Sequence, residues 1–226
     1  RKVLAIRIET GQDRLPPMVQ RSADSCNRTI TLDLADNRTF DAGLAPVQLS
    51  LQNMTARQTQ FTDAASTTDS TKRPLRITLT VNDPRADAVY ALTAADSVGN
   101  VTTVRDTIPG FTARFVAAPD TSAGRLRTLS RDNFAGISEY RFTGANATSL
   151  TCGTILIQNT GIVPFVLERA FLSRNLQFSL PPSQFPFVVP AGSSRPFSLC
   201  FNPALVAVYR DTMTITKFCI TEQIIL

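Results

Sequence analysis

The sequence predicts an all-β protein made of two tandem immunoglobulin-like β-sandwiches, and three observations support this prediction. The chain has 226 residues, too many for one immunoglobulin-sized sandwich and suited to two of about 100 residues each. It is rich in Thr, Ser, Val, Ile, Leu, Phe and Pro, the residues of strands and turns. Its most legible segments alternate apolar and polar residues, which is the pattern of a half-buried strand.

The N-terminal half reads as strands joined by polar turns. The segments predicted as strands are residues 2–9, 27–34, 44–53 and 74–81, followed by a hairpin over residues 88–108. In that hairpin Gly99 suits a positive φ, and Asp96 is placed to accept hydrogen bonds from the turn amides. Residues 62–73 are poor in apolar side chains and are predicted as an exposed loop.

The C-terminal half is clear from residue 150 onward and less legible before it. Residues 109–150 are expected to hold a linker and the first strand or strands of a second domain. Within them, residues 115–124 are expected to form a strand and then a loop, and residues 125–142 two short strands. The later strands are expected at residues 154–159, 163–172, 176–190, 196–203, 209–216 and 218–226. The sequence thus predicts domains at residues 1–110 and 111–226, and residues 1–10 have an alternative interpretation as the last strand of a preceding domain.

The N-terminal half resembles the immunoglobulin-like repeats of bacterial exported proteins. The residues that carry this resemblance are Asp13 to Pro17 (D-x-L-P-P), Ala94 to Asn100 (A-x-D-x-x-G-N) and Asp106 to Pro109 (D-T-I-P). The resemblance covers about residues 12–108. It implies a sandwich module that occurs in arrays outside the cell.

The C-terminal half resembles the ASH family, whose bacterial relatives are called choice-of-anchor D domains. The landmarks are Asn159 with Gly161, Pro190 to Ser194, Phe201 with Pro203, and Asp211 to Thr216. The match spans roughly residues 150–226 and implies an immunoglobulin-like fold without a fixed activity. The chain departs from the family after Pro203, where Ala-Leu-Val-Ala-Val replaces the usual short turn with glycine.

Four dispersed cysteines, Cys26, Cys152, Cys200 and Cys219, indicate disulfide bonds and an oxidising compartment. The alternative is a set of buried free thiols. If Cys152 and Cys200 lie on neighbouring strands, a cross-strand disulfide can join them. Cys219 could instead pair with Cys152. Cys26 has no partner in its own predicted domain, so it is free, bridges the domains or bonds another chain.

The sequence contains no histidine, which removes the commonest general base and the commonest metal ligand. A Ser–Lys pair would need Lys2, Lys72 or Lys217, and none lies in a motif. The acidic pairs Asp33 with Asp36 and Asp83 with Asp87 could serve acid–base chemistry or calcium, but turn caps are the simpler interpretation. We therefore expect no catalytic residue, no metal and no cofactor.

Partners are predicted to be proteins, either neighbouring domains or further copies. The arginines are scattered, so no clustered basic face indicates nucleic acid, and no apolar run approaches the ~20 residues that span a membrane. The apolar strands at both ends of the chain would be exposed edges that invite pairing with another chain. The residues expected at these assembly edges are Ile6, Ile8, Ile224 and Ile225.

These observations favour a non-catalytic structural or adhesive module of a bacterial extracellular or cell-surface protein, acting as a spacer or a self-assembling subunit. One alternative is an accessory domain of a secreted hydrolase that binds a glycan. That alternative has little support from aromatic residues, because the chain has no Trp and only three Tyr. Another alternative is an intracellular ciliary or cytoskeletal ASH protein, against which oxidised cysteines would argue.

Overall fold

A computed structural model of the chain describes residues 14–24, 26, 28–35, 44–60, 75–119, 124–143 and 145–226. Within these ranges the chain forms β-strands and one short 3-10 turn, Pro182–Gln184, without any α-helix. No helix in them is therefore long and apolar enough to cross a membrane. The strands build several sheets, which confirms the predicted all-β class.

The chain divides into two compact units. The first contains the described residues within 1–23, 29–80 and 90–106, and the second contains those within 24–28, 81–89 and 107–226. The loop before the second strand and the loop after the fifth thus belong to the second unit. The contacts described below for these two loops are all with other residues of the second unit.

The first seven strands form a four-stranded sheet, β1-β2-β5-β4, and a three-stranded sheet, β3-β6-β7. They are β1 (Met18–Asp24), β2 (Thr29–Ala35), β3 (Gln48–Gln52), β4 (Met54–Gln60), β5 (Leu75–Val81), β6 (Ala88–Ala95) and β7 (Val101–Ile108). Every second residue of β2 is buried, and Leu32 lies opposite Ile77 of the antiparallel neighbour β5. Tyr90 and Leu92 of β6 are also fully buried. The alternation in the sequence therefore marks the core face of these strands.

Strand β3, Gln48–Gln52, lies within residues 44–53, the segment predicted as one strand. Asn53 has a φ of 57°, a left-handed conformation that asparagine tolerates better than most residues. It separates β3 from β4, and these two strands join different sheets. Strand β4 is an addition to the prediction, because it is mostly exposed and polar and its sequence has no apolar face. The predicted strand 2–9 and loop 62–73 lie outside the described residues.

The second unit contains three sheets, ordered β13-β17-β18-β10-β9, β14-β16-β11-β8 and β12-β15. Their strands are β8 (Ala113–Ala117), β9 (Gly124–Arg131), β10 (Ala135–Phe142), β11 (Thr151–Asn159), β12 (Phe165–Leu167), β13 (Phe171–Leu172), β14 (Phe178–Ser179), β15 (Phe187–Val189), β16 (Ser194–Phe201), β17 (Thr212–Lys217) and β18 (Ile220–Ile225). Strand β10 pairs with β18 in parallel, whereas β17 and β18 form an antiparallel hairpin.

Segment 109–150 contributes β8, β9 and β10 to these sheets. Strands β9 and β10 agree with the two short strands expected over residues 125–142. Strand β9 is an edge strand with most of its residues exposed, including Arg125 and Arg127. An edge position explains why the sequence tolerates so many charges in a strand.

Aromatic side chains dominate the core of the second unit. Tyr140 is 1% exposed, and burial raises the pKa of its phenol, partly offset by a hydrogen bond involving the backbone of Thr154. Gly153 and Gly124 both lie against its ring, and a Cβ atom at either position would overlap that ring. The two glycines are therefore required by close packing and not by turn conformation.

Candidate functional site

The structure joins all four cysteines in two disulfides, which confirms the expectation of disulfide bonds. Cys152 of β11 lies directly opposite Cys200 of β16, with their Cα atoms 4.0 Å apart. The second disulfide joins Cys26 to Cys219, whose Cα atoms are 5.3 Å apart. The alternative pair of Cys152 with Cys219 is not formed, and Cys26 is not free.

The assembly edge predicted at Ile224 and Ile225 is wrong. Strand β18 has a hydrogen-bonded neighbour on each side, β17 and β10, so it is an interior strand of its sheet. Ile224 is fully buried in the core. Pairing with distant β10 removes this edge, and that contact is not visible in the local sequence. Ile6 and Ile8 lie outside the described residues.

The Asn-Thr-Gly landmark at Asn159 holds several backbone segments together. The Asn159 amide donates to the carbonyl groups of Val163, Val189 and Pro190 at 2.8 to 3.2 Å. Its Oδ1 accepts hydrogen bonds from the Gly161 amide at 2.9 Å and the Thr112 hydroxyl at 2.7 Å. With 1% of its surface exposed, this side chain has a structural role and does not face a ligand.

The acidic pairs act on backbone and arginine groups. The Asp83 carboxylate accepts a hydrogen bond from the Arg85 amide at 2.8 Å, as expected of a turn cap. Asp87 accepts from the amides of Gly110 and Ile162, both at 2.7 Å. Asp33 is held by Arg76, whose hydrogen bonds lower the pKa of that carboxyl. Asp36 lies outside the described residues. These contacts stabilise turns and strands of the fold.

No cluster of three or more His, Cys, Asp or Glu residues in the described ranges is placed to hold a metal ion. Lys217 also has structural partners, since its ammonium donates to the Val166 carbonyl and lies 4.6 Å from the centre of the Phe165 ring. Burial lowers the pKa of Lys217, partly offset by Glu168. Lys2 and Lys72 lie outside the described residues.

A buried ion cluster surrounds Glu222, and no sequence motif indicated it. This carboxylate is 2% exposed, and its Oε1 accepts hydrogen bonds from Arg85 Nη1 at 2.5 Å and Arg131 Nη2 at 3.1 Å. Gly136 lies against it, because a Cβ atom there would overlap the carboxylate. Arg85 and Glu222 are separated by 137 positions, so no local motif could reveal their contact.

The second unit contains a groove of about 610 Å³, which we call the aromatic groove. Its lining consists of Glu139, Tyr140, Arg141, Phe142, Phe178, Phe201, Ala207, Val208, Tyr209, Arg210, Ile225 and Leu226. The rings of Phe178 and Phe201 stack with centroids 4.7 Å apart, and Phe142 and Tyr209 pack on Phe201 at 5.3 and 5.6 Å. The floor of the groove is thus aromatic.

The Ala-Leu-Val-Ala-Val segment, residues 204–208, contributes Ala207 and Val208 to the lining of the aromatic groove. Leu205, Val206 and Val208 are 72%, 95% and 86% exposed, so three aliphatic side chains face water. The Tyr209 hydroxyl anchors the loop by accepting from the Leu205 amide at 3.0 Å and donating to its carbonyl at 3.1 Å. The sequence identified this segment as unusual but did not predict the groove.

The charged side chains that line the groove are Glu139, Arg141 and Arg210. Arg141 Nη2 lies 3.0 Å from Glu139 Oε1, and its side chain is 74% exposed. Arg210 is exposed and forms no ion pair with any carboxylate in the described part of the chain. The groove therefore combines apolar surface with a guanidinium group that has no acidic partner there.

Comparisons with known proteins give distant structural similarity only. No family model and no curated protein matches the chain. It is similar to the D0-D1 domain of intimin, at 10% identity over 93% of this chain and 96% of that one, with a TM-score of 0.27. It is also similar to the N-terminal Ig1-2 module of the Drosophila receptor protein tyrosine phosphatase DLAR, at 12% identity over 93% and 98%, with a TM-score of 0.23. The ASH resemblance thus stays a prediction.

Proposed function

We propose that this chain is a non-catalytic structural or adhesive β-sandwich module of a bacterial protein that is secreted or displayed at the cell surface. The two disulfide bonds are the observation that carries the proposal. Disulfides persist in oxidising compartments outside the cytosol. The buried polar groups described above, Asn159, Asp87 and Glu222, bind backbone and arginine groups of the fold itself, which suits a mechanical role.

The alternatives have weaker support. An intracellular ASH protein would keep its cysteines reduced, and the exposed pair Cys26 and Cys219 would then not be joined. A glycan-binding accessory domain would present exposed aromatic faces, whereas Phe178 and Phe201 are 4% and 9% exposed. The domain limits 1–110 and 111–226 and the absence of an enzymatic activity remain part of the proposal.

We keep self-assembly through the N-terminal segment as a proposal for residues 2–9. Ile6→Pro would remove a backbone donor and weaken any strand pairing made there. Light scattering across a concentration series, under non-reducing conditions, measures the effect. A mass for Ile6→Pro equal to that of the parent at every concentration would remove this segment from the assembly.

The proposed function is tested by locating the native protein. Intact cells are treated with a protease that cannot enter them, and the chain is followed by immunoblotting beside a cytosolic control protein. We expect this chain to be degraded, or to be found in the medium, while the cytosolic protein survives. Protection of the chain together with the cytosolic control would contradict an exported module.

A further inference from the structure

We propose that the aromatic groove binds an extended peptide segment that carries a carboxylate next to a bulky apolar side chain. The inference rests on the proposed adhesive function and names the kind of partner it would hold. A concave site of about 610 Å³ is within the usual size of ligand pockets, which combine apolar walls with a few placed polar groups. Here the apolar surface that a partner can contact comes from Val208, which is 86% exposed, and from the half-buried Phe142 and Tyr209, and the polar group is Arg210.

The charge of the groove determines the sign of its partner. The Glu139 carboxylate already pairs with Arg141, whereas Arg210 has no acidic partner among the described residues. A guanidinium group binds a carboxylate through two parallel hydrogen bonds, and this geometry is specific for planar acids. A partner with a carboxylate beside its apolar group would bind Arg210 and cover Val208 and Phe142 at the same time.

A second copy of this chain fits the groove less well than an acidic peptide does. In a symmetric dimer formed through the groove, Arg141 and Arg210 of one copy would lie near Arg141 and Arg210 of the other copy. The chain also has a net charge of +5, so its self-association is opposed by repulsion at low salt. An acidic partner experiences attraction instead.

A peptide also suits the groove better than a sugar or a lipid surface does. The Tyr209 hydroxyl is already bonded to both backbone groups of Leu205, so few polar partners remain for sugar hydroxyls. A bilayer surface is flat and would reach only the tip of the 204–208 loop.

The experiment is a selection from a library of displayed random nine-residue peptides against the intact, oxidised protein. We expect the retained peptides to be enriched in Asp or Glu next to Leu, Ile, Val or Phe. The most enriched peptide is then synthesised, and its affinity is measured for the parent and for single variants. Arg210→Gln should weaken binding by about tenfold, because one charge-assisted contact is lost.

Arg114→Gln is the matched control, because Arg114 is an exposed arginine of β8 outside the groove. Its affinity should equal that of the parent. Val208→Asp adds a negative charge to the groove wall and should weaken binding further, and both groove residues are exposed enough that the fold should survive. Equal affinity of the parent and Arg210→Gln, or no acidic enrichment in the selection, would overturn the proposal.

Two further measurements separate the other occupants. A dimer in light scattering that Val208→Asp abolishes would assign the groove to a second copy. Sedimentation with phosphatidylglycerol vesicles that Val208→Asp abolishes would assign it to a membrane surface. Either result would overturn the peptide proposal. Successful peptide selection with a chain that stays inside intact cells would instead reject the exported location alone.

Discussion

Removal of the Glu222 carboxylate tests how the second unit is held together. The side chain is 2% exposed and pairs with Arg85, itself 14% exposed, and with Arg131, which is 30% exposed. Glu222→Ala deletes the shared acceptor and leaves the Arg85 guanidinium partly buried without its carboxylate. Breaking one side of a buried ion pair costs about 3–5 kcal/mol, because the remaining charge has lost its compensation.

The expected loss of about 3–5 kcal/mol corresponds to a fall in melting temperature of roughly 10 °C for a chain of this size. Glu222→Gln keeps an oxygen acceptor but not the charge, so we expect it to fall between the parent and Glu222→Ala. The assay is urea denaturation followed by far-ultraviolet circular dichroism, with both disulfides intact. The quantity compared is the free energy of unfolding from the midpoint and slope.

Glu139→Ala is the control, since Glu139 pairs with Arg141 at 3.0 Å and the arginine is 74% exposed. An ion pair of that exposure contributes about 0.2–1 kcal/mol. We therefore expect Glu222→Ala to lose clearly more free energy of unfolding than Glu139→Ala loses. A loss for Glu222→Ala as small as that for Glu139→Ala would refute the buried cluster as a stabilising element.

Two further predictions concern a disulfide and a turn. The disulfide bond between Cys152 and Cys200 joins residues 48 positions apart. Replacing both cysteines by alanine should lower the free energy of unfolding, measured by urea denaturation, by about 4 kcal/mol. An unchanged denaturation midpoint would contradict this prediction. Asp96 accepts hydrogen bonds from Val98 and Asn100; burial raises its pKa, but the bonds from Asn100, Val98 and Gly99 outweigh burial and lower it. The free energy of unfolding of Asp96→Asn should therefore be smaller than that of the parent at pH 7. This difference should disappear as the pH falls through the lowered pKa of Asp96 in the folded state, below about pH 4. A difference that persists at pH 2 would show that the ionised Asp96 carboxylate is not its cause.

The elements that sequence analysis recovered are those defined by local patterns. Strands β2, β5 and β6 alternate buried and half-buried residues, and the same alternation is legible in the sequence. The role of Asp96 in its turn was also predictable, because a carboxylate reaches amides two and four residues later. Prediction succeeded where the determining contacts are separated by a few residues.

The elements that sequence analysis missed depend on distant contacts. Strand β18 lies inside its sheet because β10 pairs with it, and those strands are about eighty residues apart in the chain. The Glu222 cluster likewise joins Arg85 and Arg131 from two earlier loops or strands. No periodicity within a short window contains this information.

The aromatic groove could be predicted only in part. The Ala-Leu-Val-Ala-Val segment departs from the expected turn, and this local signal was visible. Its neighbours in the groove come from β10, β14, β16 and the end of the chain. Because those segments meet only through the sheet pairing of the second unit, the sequence did not indicate that the exposed loop contributes to the lining of a cavity.

The disulfide state of the chain in its native cells shows whether the chain is an exported module. Cells are quenched in acid, free thiols are alkylated, and the chain is digested without reduction for mass spectrometry. An exported module predicts two linked peptide pairs, one containing Cys26 with Cys219 and the other Cys152 with Cys200. Four alkylated cysteines would contradict the account, because they would place the native chain in a reducing compartment.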